Sequence, residues 1–239
     1  MSHLVLVRHG QASMFADDYD HLSPAGEAQS RCLGHYWLRH GVTFDMIYVG
    51  PRRRQQGTEA VVRQVFADAG RPWPDAAILA GLDEYDGDGV LREFLPVLVE
   101  RDVEIRRLAA AWEQHRDGPE RYRHFQRLFQ AVMAYWVAGD VASPLVESWS
   151  AFHGRVTRSL RQIMANAGGG RRVAVFTSGG VISVAVQLAM RAPAPLAIEL
   201  NWRIRNGSLT EMVFSRDKVT LDTLNTIPHL DDPALWTYR

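Results

Sequence analysis

The chain has 239 residues, 46% of them hydrophobic and 23% charged, so it can bury a full core as one domain with an insertion or as two small domains. Lysine plus arginine and aspartate plus glutamate each number 27, which excludes a global field that would attract nucleic acid or membrane and leaves only local anion sites. The single cysteine, Cys32, and the lack of a secretory signal or membrane-spanning apolar run favour a cytoplasmic protein.

The first predicted element is a strand. An uninterrupted apolar run at residues 4–7 is typical of a strand covered on both faces, as in a parallel sheet. Arg8 and His9 follow it directly, and the ligands of such sheets bind beyond the carboxyl ends of the strands. A guanidinium grips an oxyanion with two hydrogen bonds, and an imidazole attacks phosphorus or transfers a proton near neutral pH. Taken alone, the pair also fits an ordinary polar turn.

Helix and strand patterns then alternate. Ser23 and Pro24 predict the start of a helix that runs to about residue 40, where Gly41 ends it. The other elements predicted before residue 80 are a strand at 44–49, an arginine-rich turn at 50–57, a helix at 58–69 and a short strand at 78–79. This alternation predicts an α/β fold in which helices connect the strands of a parallel sheet.

Residues 90–146 differ in character. They contain long charged stretches, many aromatic residues and apolar positions at three- or four-residue steps, so we interpret them as an inserted helical cap. The elements predicted after the cap are a helix through 152–163 that ends at the glycines 168–170, a buried strand at 173–176, a helix from Ser178 through 190, and a hairpin of strands 208–214 and 219–224 joined by a polar turn at 215–218.

Polar segments follow three later strands as well. The arginines at 52–54 enter a helix, and a helix amino end beside an arginine favours phosphate, although a solvated basic turn or a nucleic-acid patch has the same composition. Residues 81–87 form a carboxylate cluster between glycines, for which an acidic surface loop is the alternative. Ser178 and the two glycines after it offer a hydroxyl and backbone amides to an oxyanion.

The order of these segments resembles the histidine phosphatase superfamily, which contains phosphoglycerate mutases and many small phosphomonoesterases. The resemblance rests on LVRHGQ at 6–11, LSPAGEAQ at 22–29, the strand and arginine segment at 44–58, the acidic segment at 82–87 and RNGSLT at 205–210. It implies a phosphoglycerate mutase-like fold: a mostly parallel central sheet flanked by helices, forming one domain over 1–239 with a helical cap insertion at about 90–146.

The resemblance also implies roles for individual residues. His9 would be the nucleophile that becomes phosphorylated, Arg8 and Arg54 would bind the phosphate, and Glu84 would be the proton donor. Asp83 and Asp86 remain alternatives as the acid. No cofactor is implied, and the other eight histidines form no ligand-like cluster with carboxylates or the cysteine, so we expect no metal.

One position departs from the family pattern. The family carries a second histidine in a sequence close to Ser-His-Gly-Gly, and Ser178 occupies the place of that histidine here. Loss of one preorganised donor typically costs about 2.7–4 kcal/mol, or on the order of a hundred- to thousandfold in rate. We expect Ser178 and Gly179 to bind phosphate and recover part of this loss, which gives a slower enzyme or a different substrate.

These observations predict a histidine-type acid phosphatase or phosphohydrolase. Its substrate would be a small phosphorylated molecule, and it would need neither nucleic acid nor membrane as a partner. Two alternatives remain open. The first is a phospho-ligand-binding protein that kept the arginines and lost turnover. The second is a phosphoglycerate mutase, for which the cap offers no identifiable second phosphate site.

Overall fold

The computed structural model describes residues 1–12, 20–215 and 218–238. The chain forms two compact units. We call the first the sheet unit; it comprises Met1–Glu84 and the chain from Arg155 onward. The second, Tyr85–Gly154, is the helical unit. Within the described residues, no helix is both long and apolar enough to cross a membrane.

The sheet unit contains a six-stranded sheet in the order β3-β2-β4-β1-β5-β6. Its strands are β1 (Ser2–Arg8), β2 (Met46–Val49), β3 (Ala76–Ile78), β4 (Arg172–Thr177), β5 (Leu209–Ser215) and β6 (Lys218–Thr226). The first four strands run parallel, β5 pairs antiparallel with β1, and β6 pairs antiparallel with β5. This mixed, mostly parallel sheet flanked by helices confirms the predicted fold class. The predicted hairpin is present, although residues 216 and 217 of its turn lie outside the described residues.

The register of the parallel strands defines one edge of the sheet. Arg8 of β1 pairs with Thr177 of β4, and Val49 of β2 pairs with Phe176. The carboxyl ends of these strands therefore lie side by side, so the polar segments that follow them emerge at the same edge.

The helices of the chain are α1 (Pro24–Arg39), α2 (Arg53–Asp68), α3 (Gly87–Arg101), α4 (Val103–His115), α5 (Arg121–Ala138), α6 (Trp149–Ala167), α7 (Gly179–Met190) and α8 (Pro195–Asn201). Helix α1 starts as predicted, because the Ser23 hydroxyl accepts a 3.1 Å hydrogen bond from the Gly26 amide. One core of the sheet unit joins Val5 and Val7 of β1 to Leu33 of α1 and other buried residues of α1 and α2.

The predicted start of α2 at residue 58 is wrong. The helix begins at Arg53, so the arginine-rich segment is its first turn and not a separate loop. Arginine and glutamine are good helix formers, and Gln55 Oε1 accepts a hydrogen bond from the backbone N–H of Arg52 at the helix entrance. Gly57 is accommodated within the first turns. Arg54 is therefore held on a rigid element.

The helical unit contains α3, α4, α5 and the beginning of α6, whose span crosses the unit boundary. Aromatic side chains form part of its core: the Tyr85 ring lies 5.1 Å from that of Trp136 and 5.4 Å from that of Phe152, between centroids. The Asp102 carboxylate caps the first turn of α4 by accepting hydrogen bonds from the amides of Glu104 and Ile105.

Candidate active site

His9 follows the last residue of β1 and is almost completely buried, with 4% of its surface exposed. Its backbone N–H donates to the carbonyl of Thr177, at the end of β4, over 2.9 Å. Its ring Nδ1 lies 2.8 Å from the Gly10 carbonyl oxygen. A carbonyl oxygen only accepts hydrogen bonds, so this contact assigns the ring proton to Nδ1 and leaves the lone pair on Nε2.

The electrostatic surroundings of His9 favour the neutral ring. Burial is the largest cause that holds the pKa of His9 well below its ordinary value, and the positive charges of Arg54 and Arg8 act in the same direction. The hydrogen bond to Gly10 opposes them only in part. The imidazole is therefore neutral at pH 7, the state in which it can act as a nucleophile.

Arg54 lies in the first turn of α2 and faces this ring. Its Nε donates a hydrogen bond to His9 Nε2 over 3.1 Å, and only 7% of its side chain is exposed. Its Nη1 forms an ion pair with Asp20 Oδ1 at 2.7 Å. The other oxygen of Asp20 accepts a hydrogen bond from the backbone N–H of Arg53 over 2.9 Å. The predicted proximity of Arg54 to the histidine is therefore observed, and Asp20 is an additional residue that the sequence interpretation did not include.

The loop after His9 is fixed by close backbone packing. The Gly10 amide donates to Thr58 Oγ1 over 3.0 Å, and the Thr58 hydroxyl donates to the Arg54 carbonyl over 2.8 Å. A Cβ atom on Gly10 would lie 2.4 Å from the Gly26 carbonyl oxygen, so no larger residue fits without backbone movement. These contacts fasten the histidine segment to both α1 and α2.

Arg8 is the last residue of β1, and its positive charge is one of the causes, after burial and Arg54, that lower the pKa of His9. Its Nη1 donates to the carbonyl of Ile204, and its backbone N–H donates to the carbonyl of Ser208. Arg8 is thus held by the segment that leads into β5. In the sheet, β5 and β4 lie on opposite sides of β1.

The three candidate carboxylates have different partners. Glu84 Oε2 accepts a 3.0 Å hydrogen bond from the Gly180 amide in the first turn of α7. Asp83 forms an ion pair with Arg52. Asp86 belongs to the helical unit, where it caps α3 by accepting from the Gly89 amide over 2.9 Å. Glu84 is therefore the carboxylate held at the start of α7, and the Gly180 amide, predicted to be available to an anion, is occupied by it.

The segment that carries Glu84 is also held from α6. Arg155 Nη1 donates to the carbonyl oxygens of Gly81, over 3.2 Å, and Asp83, over 2.8 Å. A guanidinium that binds two carbonyls of one short segment restrains its backbone, so the position of Glu84 relative to α7 is fixed from two sides.

Ser178 is the residue before the first turn of α7 and is fully buried. Its hydroxyl does not cap the helix but accepts a 2.7 Å hydrogen bond from Gln55 Nε2. The neighbouring Gly179 packs closely on α8, because a Cβ at that position would lie 2.2 Å from Asn201 Oδ1. Gln55 therefore links the start of α7 to the start of α2, a role that the sequence interpretation did not assign.

The structure thus forms two connected clusters at one edge of the sheet. In the first, His9 contacts Arg54 and lies beside the charge of Arg8. In the second, Glu84 and Ser178 lie at the start of α7, and Gln55, next to Arg54 in the chain, connects the second cluster to α2. In the described part of the chain, no group of three histidine, cysteine or acidic side chains has the arrangement of a metal site.

Comparison with known proteins provides independent information. The model of the histidine phosphatase superfamily (branch 1) matches residues 94–227, more than half of the chain. His9, Arg54 and Glu84 precede the matched range, so this match does not bear on their roles. No curated protein sequence matches this chain.

Several solved structures share the fold. An alpha-ribazole phosphatase from Shigella flexneri has 21% identity and a TM-score of 0.58, over 94% of this chain and 96% of that one. A phosphoglycerate mutase from Bacillus anthracis has 15% identity and a TM-score of 0.60, over 95% and 94%. A phosphoserine phosphatase from Entamoeba histolytica, in complex with 3-phosphoglyceric acid, has 16% identity and a TM-score of 0.59, over 96% and 100%. At these identities the likeness establishes the fold.

Proposed function

Because the chain belongs to the histidine phosphatase superfamily, we propose that it is a phosphomonoesterase that hydrolyses a small phosphorylated molecule through a phosphohistidine at His9. The observation that carries this proposal is the state of the His9 ring. Its Nδ1 is bound to a carbonyl, its pKa is lowered by burial, and its Nε2 lone pair faces the Arg54 guanidinium at 3.1 Å. A neutral, oriented imidazole next to a cation is what attack on an anionic phosphoryl group requires.

Substrate binding would use the two arginines. Arg8 and Arg54 bind the non-bridging oxygens of the phosphate, and the Nε–H of Arg54 moves from His9 Nε2 to a phosphoryl oxygen. This movement frees the lone pair that attacks. Ser178 adds a donor, because its oxygen accepts from Gln55 and its hydroxyl hydrogen remains available for an anion, while Gly179 contributes its backbone amide.

The first chemical step transfers the phosphoryl group to the histidine. The bond between His9 Nε2 and phosphorus forms while the bond between phosphorus and the ester oxygen breaks, and Glu84 gives its proton to that leaving oxygen. The Gly10 carbonyl holds the Nδ1 proton and stabilises the positive ring that results. Glu84 ends this step as a carboxylate, the form stabilised by the Gly180 amide at the helix start.

The second step releases phosphate. Glu84 takes a proton from a water molecule, whose oxygen attacks phosphorus while the bond between phosphorus and His9 breaks. Inorganic phosphate leaves, and both side chains return to their starting states. Every proton and bond is accounted for by water, substrate and these two residues.

The test measures phosphate release from p-nitrophenyl phosphate by the purified protein and by His9→Ala, with the exposed His35→Ala as a matched control. We expect His9→Ala to lose activity by about a thousandfold or more and His35→Ala to keep it. Rapid quench of the wild type should trap an acid-labile phosphorylated histidine. Equal activity of wild type and His9→Ala overturns the proposal.

The same assays separate the alternatives. A binding protein without turnover would bind phosphate analogues and yield neither free phosphate nor a trapped phosphohistidine. A mutase would move phosphate between positions of a phosphoglycerate faster than it releases phosphate to water. A cytoplasmic location, consistent with the single cysteine, remains a prediction that fractionation of cells would check.

A further inference from the structure

The Asp20 carboxylate forms an ion pair with Arg54, the arginine that the proposed reaction needs to bind phosphate. Asp20 places one oxygen 2.7 Å from Arg54 Nη1 and the other 2.9 Å from the backbone nitrogen of Arg53, the first residue of α2. A guanidinium and a helix amino end are the two features that bind phosphate groups in proteins. Asp20 therefore occupies the same pair of donors that a phosphoryl oxygen would use.

The burial of Arg54 explains why such a partner is present. Only 7% of its side chain is exposed, and a buried cation without a counterion is strongly unfavourable. Asp20 itself retains 29% exposure, so it can exchange its protein contacts for water at a lower cost than Arg54 can. When an anion enters, Asp20 is thus the member of the pair that is able to leave.

The contact also has a consequence for the nucleophile. While Asp20 holds Nη1 of Arg54, the Nε of the same guanidinium donates to His9 Nε2 and occupies the lone pair. Because the guanidinium is planar and rigid, an anion that replaces Asp20 at Nη1 also changes the orientation of Nε relative to the imidazole. Exchange of Asp20 for the substrate phosphate is therefore coupled to release of the His9 lone pair.

We propose that Asp20 is a resting-state counterion that the substrate phosphate displaces, and that this competition makes the site selective for dianionic phosphomonoesters over singly charged anions. The inference rests on the proposed function of the same site. A monoanion offers Arg54 and the helix amino end no more charge than Asp20 does, whereas a phosphomonoester dianion offers twice as much. Phosphodiesters and carboxylates would bind poorly for that reason.

The experiment measures binding directly, without turnover. Inorganic phosphate and dimethyl phosphate, a monoanion, are titrated calorimetrically into wild type, Asp20→Asn and the control Asp222→Asn. Asp222 lies exposed on β6 and its replacement removes the same charge from the protein. We expect Asp20→Asn to bind phosphate about tenfold more tightly than wild type, to gain more for dimethyl phosphate, and Asp222→Asn to match wild type.

Asp20→Ser is the second variant, since it removes the charge but keeps an acceptor for the Arg53 amide, and circular dichroism checks that both variants are folded. Phosphate binding that is unchanged or weaker in both folded variants overturns the inference, even when the wild type releases phosphate in a His9-dependent manner. If the wild type neither binds nor releases phosphate, the proposed function itself fails.

Discussion

Gln55 donates a 2.7 Å hydrogen bond from Nε2 to the hydroxyl oxygen of Ser178, and both side chains are completely buried. The opposite end of the Gln55 amide accepts from the Arg52 backbone, so the amide cannot turn without the loss of a contact. Gln55 therefore fills the interior space beside Ser178. A larger residue at position 178 would meet this amide.

Ser178→His, the change that restores the residue expected from the family pattern, should not by itself raise activity. The imidazole would crowd Gln55, and overpacking of this kind typically costs about 1–3 kcal/mol of stability. The double variant Ser178→His with Gln55→Ala has room for the ring but loses the cap that Gln55 makes with Arg52, so it should be less destabilised than the sum of the two single changes. Urea unfolding and turnover of p-nitrophenyl phosphate, measured for both single variants and the double variant, check this coupling. A fully stable and faster Ser178→His single variant would contradict it.

Glu84→Gln should reduce activity in a manner that depends on the leaving group. Glutamine has the same shape but cannot give a proton, so an alkyl phosphate, whose leaving oxygen must be protonated, should lose about a hundred- to ten-thousandfold in rate. An aryl phosphate with a stable phenolate leaving group should lose much less. Steady-state rates with a series of phosphates of rising leaving-group pKa give this dependence.

Asp83→Asn is the matched control for that series. It changes the adjacent carboxylate, which is paired with Arg52, and should show a small effect that is equal for all substrates. If Asp83→Asn and not Glu84→Gln steepens the dependence on the leaving group, Asp83 is the acid.

Buried histidines should make the protein sensitive to mild acid. His229 is 4% exposed, burial lowers its pKa to about 4, and within the described chain neither ring nitrogen has a hydrogen-bond partner. In the unfolded chain its pKa returns to about 6.5, so between pH 6.5 and 4 only the unfolded state takes up the proton. The free energy of unfolding should therefore decrease as the pH is lowered through this window, by up to about 3 kcal/mol for His229.

His229→Leu should remove the part of the pH dependence that is due to His229. It should change the free energy of unfolding little at pH 7.5, since no hydrogen bond of the ring is lost. Urea unfolding at pH 7.5 and pH 5, compared with the exposed His35→Leu, measures the difference. His9, whose pKa is lowered in the same direction, leaves a remaining slope in both variants. An identical slope for wild type and His229→Leu would show that the ring is already charged in the native state.

Local sequence patterns were sufficient for most of the fold. The apolar run at 4–7 predicts β1 because a strand buried on both faces needs one, and Ser23 and Pro24 predict the start of α1 through capping chemistry. The predicted start of α2 is wrong because a basic, glycine-containing segment has the composition of a turn. In the structure Gln55 caps the entrance of this helix by accepting a hydrogen bond from the Arg52 backbone, a contact that stabilises its first turn.

The candidate site shows the same difference between residues that local sequence patterns predict and residues that only tertiary contacts reveal. His9 and Arg54 meet as expected because they follow the carboxyl ends of β1 and β2, the two parallel strands that flank β4 in the sheet. The sequence interpretation did not include Asp20 and Gln55, because neither lies in a motif or at a strand end that would mark its contact with Arg54 or with Ser178. Such pairs arise only from tertiary packing, and single residues carry no local mark of them.

The hydrogen bonds from Arg155 to the carbonyls of Gly81 and Asp83 join the two ends of the sheet unit between which the helical unit is inserted in the sequence. Both contacts lie within the sheet unit, between the residues just before the helical unit and the first residue after it. A change in the length or sequence of the intervening segment should therefore leave these contacts in place.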